Sequence, residues 1–113
     1  MYCMYILTNM GTTLMQWNAN GLKAHLGELK HYLTGNKPPE IICIQESFLK
    51  PKDTFYLDGY FVERRDRPAD ERKGGLAILI RNTMKYTVLP NISTTESMSI
   101  KTRCDNKDII ITN

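Results

Sequence analysis

Apolar positions along this chain fall into short runs separated by polar and turn-forming residues, and one run has a helical period. Leu14 to Asn18 reads as a strand that ends on a polar side chain. Leu22, Leu26, Leu29 and Leu33 then recur at helical spacing, with Lys23, Glu28 and Lys30 on other faces, which predicts an amphipathic helix. Asn20 stands where an N-cap belongs. Gly35-Asn36 followed by Pro38-Pro39 is a stop signal. Ile41 to Gln45 is apolar without alternation, the mark of a strand covered on both faces. Gly59 to Glu63 predicts another strand, and Gly74-Gly75 opens a further buried one over Leu76 to Ile80. Tyr86 to Leu89 is strand-like and stops at Pro90, and Met98–Arg103 with Asp108–Thr112 predicts a hairpin turning at Cys104 to Lys107.

A strand–helix–strand unit closes as a parallel pair with a right-handed crossover. Both strands then end on one edge of the sheet, where open α/β sheets place their ligands. Asn18 and Glu46 are expected to meet there. An amide oxygen beside a carboxylate is a hard-oxygen site suited to Mg²⁺ or Mn²⁺.

The predicted class is α/β with a mixed sheet. The strands near Ile42, Ile78 and Ile110 are apolar on both faces, but the pattern offers one good helix to cover them. An apolar sheet face left bare is rare in monomers. The chain is therefore expected to be the N-terminal part of a larger domain, over residues 13–113, preceded by a ragged extension at 1–12.

Composition changes this picture little. The 113 residues make one domain or part of one, and a net charge of +3 permits a polyanionic partner without demanding it. The three cysteines are far apart with no CxxC pair, which argues against structural zinc and fits a reducing compartment. Cys43 lies in an apolar run, as a small hydrophobe. No run approaches the roughly 20 apolar residues that span a bilayer.

Gln16-Trp17-Asn18-Ala19-Asn20-Gly21-Leu22, the leucine-spaced helix, Ile44-Gln45-Glu46 and Gly74-Gly75-Leu76-Ala77-Ile78 stand in the order found in the endonuclease/exonuclease/phosphatase (DNase I-like) superfamily. The wording most resembles the endonuclease domain of non-LTR (LINE-type) retrotransposon polyproteins, in which an arginine-rich loop precedes the glycine pair, as Arg64-Arg65-Asp66-Arg67 does here. The resemblance implies a four-layer α/β/β/α sandwich longer than this chain. It implies a metal-dependent phosphodiesterase that nicks DNA and leaves a 3′-hydroxyl to prime reverse transcription, with the reverse transcriptase domain downstream. By position, Glu46 matches the family's metal-binding glutamate, and Asn18 the asparagine that helps bind metal or orient the phosphate. Mg²⁺ or Mn²⁺ would be the cofactor, DNA the partner, with neither a small-molecule cofactor nor a membrane. The parent protein would work in the nucleus, although no basic cluster reads as an import signal. The tyrosine-proline, Asp-x-Asn and Asp-His segments that complete the family's site do not follow Thr112-Asn113, so this chain alone is expected to cut nothing. His25 and His31 do not match the family histidine and are expected on the helix, away from the strand ends.

Each residue also has a plainer reading. Glu46 could be a solvated charge at a strand end, Asn18 the start of a turn, and Trp17 core. Gln45 is expected on the opposite face, capping the sheet edge. In the stretch 63–73, five positive charges stand among four negative ones, which reads as a solvated loop; the loop's position in the resemblance makes Arg64, Arg65 and Arg67 DNA contacts. The glycine pair alone is weak evidence for phosphate binding, and Glu96 could face the crevice. Three functions follow: a retroelement DNA endonuclease; another phosphoesterase of the superfamily acting on RNA, a phosphoinositide or a sphingolipid; or a degenerate, non-catalytic remnant.

Overall fold

The computed structural model describes residues 4–9, 12–35, 37–71, 73–91, 95–104 and 106–113. Strands β1 (Met4–Asn9) and β2 (Thr12–Asn18) are followed by helix α1 (Leu26–Gly35). Strands β3 (Ile41–Gln45), β4 (Tyr60–Arg65), β5 (Leu76–Arg81), β6 (Tyr86–Val88), β7 (Ser99–Cys104) and β8 (Lys107–Thr112) complete the chain. They form a five-stranded sheet in the order β1-β2-β3-β5-β4 and a three-stranded sheet in the order β6-β7-β8.

The first sheet is mixed, as expected. β2 and β3 run parallel with Asn18 opposite Gln45, and β3–β5, β4–β5 and β1–β2 are antiparallel. The ends of β2, β3 and β4 and the start of β5 therefore share one edge. The segment expected as a ragged extension contains β1, whose residues Met4 to Asn9 pair with β2 across Trp17 to Thr12.

Two apolar clusters lie on opposite faces of this sheet, because alternate side chains of one strand point to opposite sides. On one face Met15, Trp17, Ile42, Ile44, Ala77 and Leu79 pack under Leu22 and Leu29, with Leu26, Tyr32 and Leu33 at the margin. All four leucines of the helical pattern reach this core, and Trp17 is fully buried within it. On the other face Ile41, Cys43, Leu76, Ile78 and Ile80 pack against Met98 and Ile100 of the second sheet, with Leu14, Met84, Tyr86 and Ile111 at its edge.

This second layer corrects the expectation of a bare face. The predicted hairpin does not extend the first sheet; with β6 it folds over it as a separate layer. Ile110, read as part of a strand apolar on both faces, lies on the outer side of β8 and is 63% exposed. Cover is complete over β3 and β5 and partial over β2. Gln16 is exposed beside a cleft of about 280 Å³ that Leu14, Cys43, Gln45, Ile111 and Asn113 also line. Gln45 faces this second side, as expected, and its amide donates to Asn113 Oδ1.

Candidate metal centre

The shared strand edge is built from backbone to backbone. After β2, Ala19 N–H donates to the Gln45 carbonyl, Gly21 N–H to Glu46 and Leu22 N–H to Ser47, each at 2.9 Å. On the other side Ser47 N–H donates to the Gly75 carbonyl at 3.1 Å and Phe48 N–H to Gly74 at 2.9 Å. The segment 45–48 is thus laced to 19–22 on one flank and to 74–75 on the other. Threading it there puts Glu46 and Phe48 in the left-handed region, at φ +53° and +58°. A side chain in that conformation costs on the order of 1–2 kcal/mol. Strain of this kind clusters at functional sites, and it makes the charged Glu46 on this sheet edge a candidate functional group.

Glu46 is half-buried, and its Oε2 accepts the Gly74 N–H at 2.8 Å. Among the described residues its other oxygen makes no hydrogen bond. Asn18 is exposed at the end of β2, next to the Gln45–Glu46 step. Its Oδ1 accepts the Asn20 N–H at 3.2 Å, as the turn reading of Asn18 expects. Asn20 caps no helix: it has φ +46°, and α1 begins only at Leu26 after the turn at 22–25. His25 is likewise not on the helix. It lies in that turn with Nδ1 2.9 Å from the carbonyl of Gly21, the same residue whose N–H donates to the Glu46 carbonyl. His31 does lie on α1.

One carboxylate and one amide fit a hard divalent cation that keeps most of its waters, as Mg²⁺ does. Among the described residues no three His, Cys, Asp or Glu side chains converge to cage a metal.

The charged loop is an internal fastening, and its arginines differ in kind. Arg64 grips both oxygens of Asp66 and donates to the carbonyls of Asp53 at 2.8 Å and Lys50 at 2.7 Å. Arg65 donates to the carbonyls of Ser97 at 2.7 Å and Thr95 at 3.4 Å. Their guanidinium groups are committed to the protein's own backbone. Arg67 lies across Gly74 and holds Glu96 through two bonds, of 2.9 and 3.1 Å. Arg72 lies outside the described residues.

Glu96, a minor candidate by sequence, enters the site. Its Oε2 also accepts the Gly75 N–H at 3.1 Å. The bonds from Arg67 and Gly75, with the charges of Arg67 and Arg65, hold its carboxyl below the usual carboxylate range. The Arg67 guanidinium is in turn held more firmly protonated by Glu96, Glu71 and Glu46. The glycine pair is required rather than merely flexible. Both residues have φ +90°, and a Cβ on Gly75 would stand 2.5 Å from the buried Ser47 Oγ.

The profile of the Endonuclease/Exonuclease/phosphatase family matches residues 15–111. An RNA-directed DNA polymerase from the mobile element jockey of Drosophila melanogaster is 28% identical over 80 residues, which is 71% of this chain and 9% of that protein. Two solved structures share the fold at 22% identity and each match covers 86% of this chain. They are the 3′ phosphatase NExo from Neisseria bound to a product DNA hairpin, at TM-score 0.57, and the 3′-5′ exonuclease NExo from Neisseria meningitidis, at 0.55. The chain spans 39% of the length of each.

Proposed function

Because the chain belongs to the endonuclease/exonuclease/phosphatase family, we propose that it supplies the metal-holding half of a phosphodiesterase that nicks DNA, in a protein whose reverse transcriptase extends the nick. The carrying observation is Glu46, a carboxylate in strained backbone with one oxygen fixed by Gly74 and the other making no hydrogen bond among the described residues, at the strand edge where Asn18 also ends. Similarity to the jockey polymerase favours the retroelement reading, and the DNA bound by one structural relative favours a DNA substrate.

Glu46 would hold Mg²⁺ or Mn²⁺, with Asn18 beside it. Bound there, the cation would neutralise the charge of the phosphodiester and of the leaving alkoxide. The chain's own groups do the rest of the positioning. Asn18 keeps its Oδ1 on the Asn20 amide, which leaves its NH₂ to donate to a phosphate oxygen. Arg67, held across Gly74, places a positive charge close to Glu46. The parent protein would act in the nucleus, where chromosomal DNA is.

The test is relaxation of supercoiled plasmid by the parent protein that contains this region, assayed with Mg²⁺ and with EDTA. Nicking that needs Mg²⁺ and falls by about 100-fold in Glu46→Gln is expected. Equal cleavage by Glu46→Gln would refute the reading. Turnover of poly(A) or inositol phosphates in place of plasmid would move the substrate to another branch of the family.

A further inference from the structure

We propose that Glu96 is a positioning residue for the metal-binding carboxylate, acting through the Gly74–Gly75 backbone; the inference rests on the metal reading of Glu46. Glu46 Oε2 takes its fixed orientation from the Gly74 N–H. Gly74 and Gly75 must therefore stay where they are, and glycine, which reaches a φ of +90° without strain, is as free to leave it, so outside contacts are needed to hold the pair there. Glu96 supplies two of those contacts. It accepts the Gly75 N–H directly, and it grips the Arg67 guanidinium, which closes over Gly74 in the space a Cβ would take.

Glu96 is itself secured. Arg65 donates to the carbonyls of Thr95 and Ser97, the residues on either side of it. Although Glu96 is an exposed residue, its carboxylate accepts from two guanidinium nitrogens and one backbone N–H, and its flanking carbonyls are tied by a further arginine, so it is fixed in place as a solvated charge is not. The chain of contact runs from the segment at 95–97 through the glycine pair to Glu46. Outer carboxylates that orient a metal ligand are worth about 10–100-fold in metal affinity.

Glu71 provides the control. It also lies near Arg67, at 3.7 Å, but has no bond to either glycine. Removing it changes the net charge as much as removing Glu96 does.

The experiment is Mn²⁺ binding to the full 113-residue chain, read by electron paramagnetic resonance of the free ion. It is run at a temperature where circular dichroism shows every variant folded. Expected are measurable binding by the parent, its loss in Glu46→Gln, a roughly 10-fold weakening in Glu96→Ala, and partial recovery in Glu96→Gln, which keeps an acceptor for Gly75. Glu71→Ala is expected to stay within twofold of the parent. Unchanged affinity in Glu96→Ala, or an equal loss in Glu71→Ala, overturns the inference while leaving Glu46 as ligand. A parent chain that takes up no Mn²⁺, or a Glu46→Gln variant that binds as the parent does, removes the metal reading and this inference with it.

Discussion

Substituting Gly75 by alanine tests the construction of the site more directly than removing any charge. Gly75 has φ +90°, where a Cβ costs about 1–2 kcal/mol. The new Cβ would also stand 2.5 Å from Ser47 Oγ, and Ser47 is 1% exposed and laced by its backbone to Gly75 and Leu22, so it cannot retreat. Overpacking of this kind adds about 1–3 kcal/mol. The expected loss for Gly75→Ala is therefore about 2–5 kcal/mol. The two causes are separable. Ser47→Ala removes the offending oxygen; the single bond it gives up, to Leu49 N–H, is long at 3.4 Å, so alone it should cost under about 1 kcal/mol. In Gly75→Ala/Ser47→Ala the steric part should vanish and only the backbone part remain, a coupling of about 1–3 kcal/mol in the double-mutant cycle. The assay is equilibrium urea unfolding followed by the fluorescence of Trp17, the one tryptophan and fully buried. Gly27→Ala is the internal control: a Cβ there meets nothing within 4 Å inside α1, so it should stabilise by roughly 0.5–1 kcal/mol. Zero coupling between Ser47 and Gly75, or a Gly75→Ala loss below 1 kcal/mol, would refute the account.

Three further outcomes follow from the geometry. Arg64→Ala should cost about 2–4 kcal/mol in the same urea assay, since it strands Asp66, whose side chain is 11% exposed, and two carbonyls; Arg64→Lys should recover less than half of that, because an ammonium cannot reproduce the planar fork. Burial raises the Cys43 thiol to about 11, so a thiol reagent at pH 8 should leave the Cys43 peptide unmodified until urea unfolds the chain, as read by mass spectrometry. Glu96 has its folded pKa depressed below the usual 4.5, so its stabilisation is present above that value and lost as pH falls through the lower folded one. The stability gap between parent and Glu96→Gln should accordingly be open at pH 7 and close in acid; a gap unchanged at pH 2.5 would disprove the linkage.

Apart from β1, expected as a ragged extension, the strands of the first sheet were legible because their signals are local. Ile41 to Gln45 shows an unbroken apolar run, and Gly74-Gly75 marks where the next buried strand begins. The helix start was misplaced because a turn at 22–25 keeps Leu22 on the same side as the helical leucines, and spacing alone does not separate the two. The second layer, which the family resemblance implied, was not visible in the hydrophobic pattern, because alternation tells which residues are inward but not which surface they meet; Ile100 and Ile111 would look the same in an extended single sheet. The arginines show a further limit. Arg64 and Arg65 are neighbours at the end of β4, so they point to opposite faces, one toward 50–53 and the other toward 95–97. That divergence is implicit in the strand period, but the carbonyls they meet are set by tertiary structure. Glu96 could be named as a residue facing the crevice, but its contacts were equally out of reach, since its partners lie 21 and 29 residues away.

Asn113 has a mechanical consequence. Its NH₂ donates to the carbonyls of Ile44 and Ala77, both at 2.9 Å, and its Oδ1 accepts from Gln45. One side chain thus rivets the upper layer to two adjacent strands of the lower one, a single residue before Glu46. At the far rim the corresponding tie is a 3.3 Å contact from the Thr12 hydroxyl to the Cys104 sulfur, a much weaker acceptor. Ties of such unequal strength predict that any separation of the two layers is greater at the Thr12–Cys104 rim than at the Asn113 rim, beside which Glu46 stands.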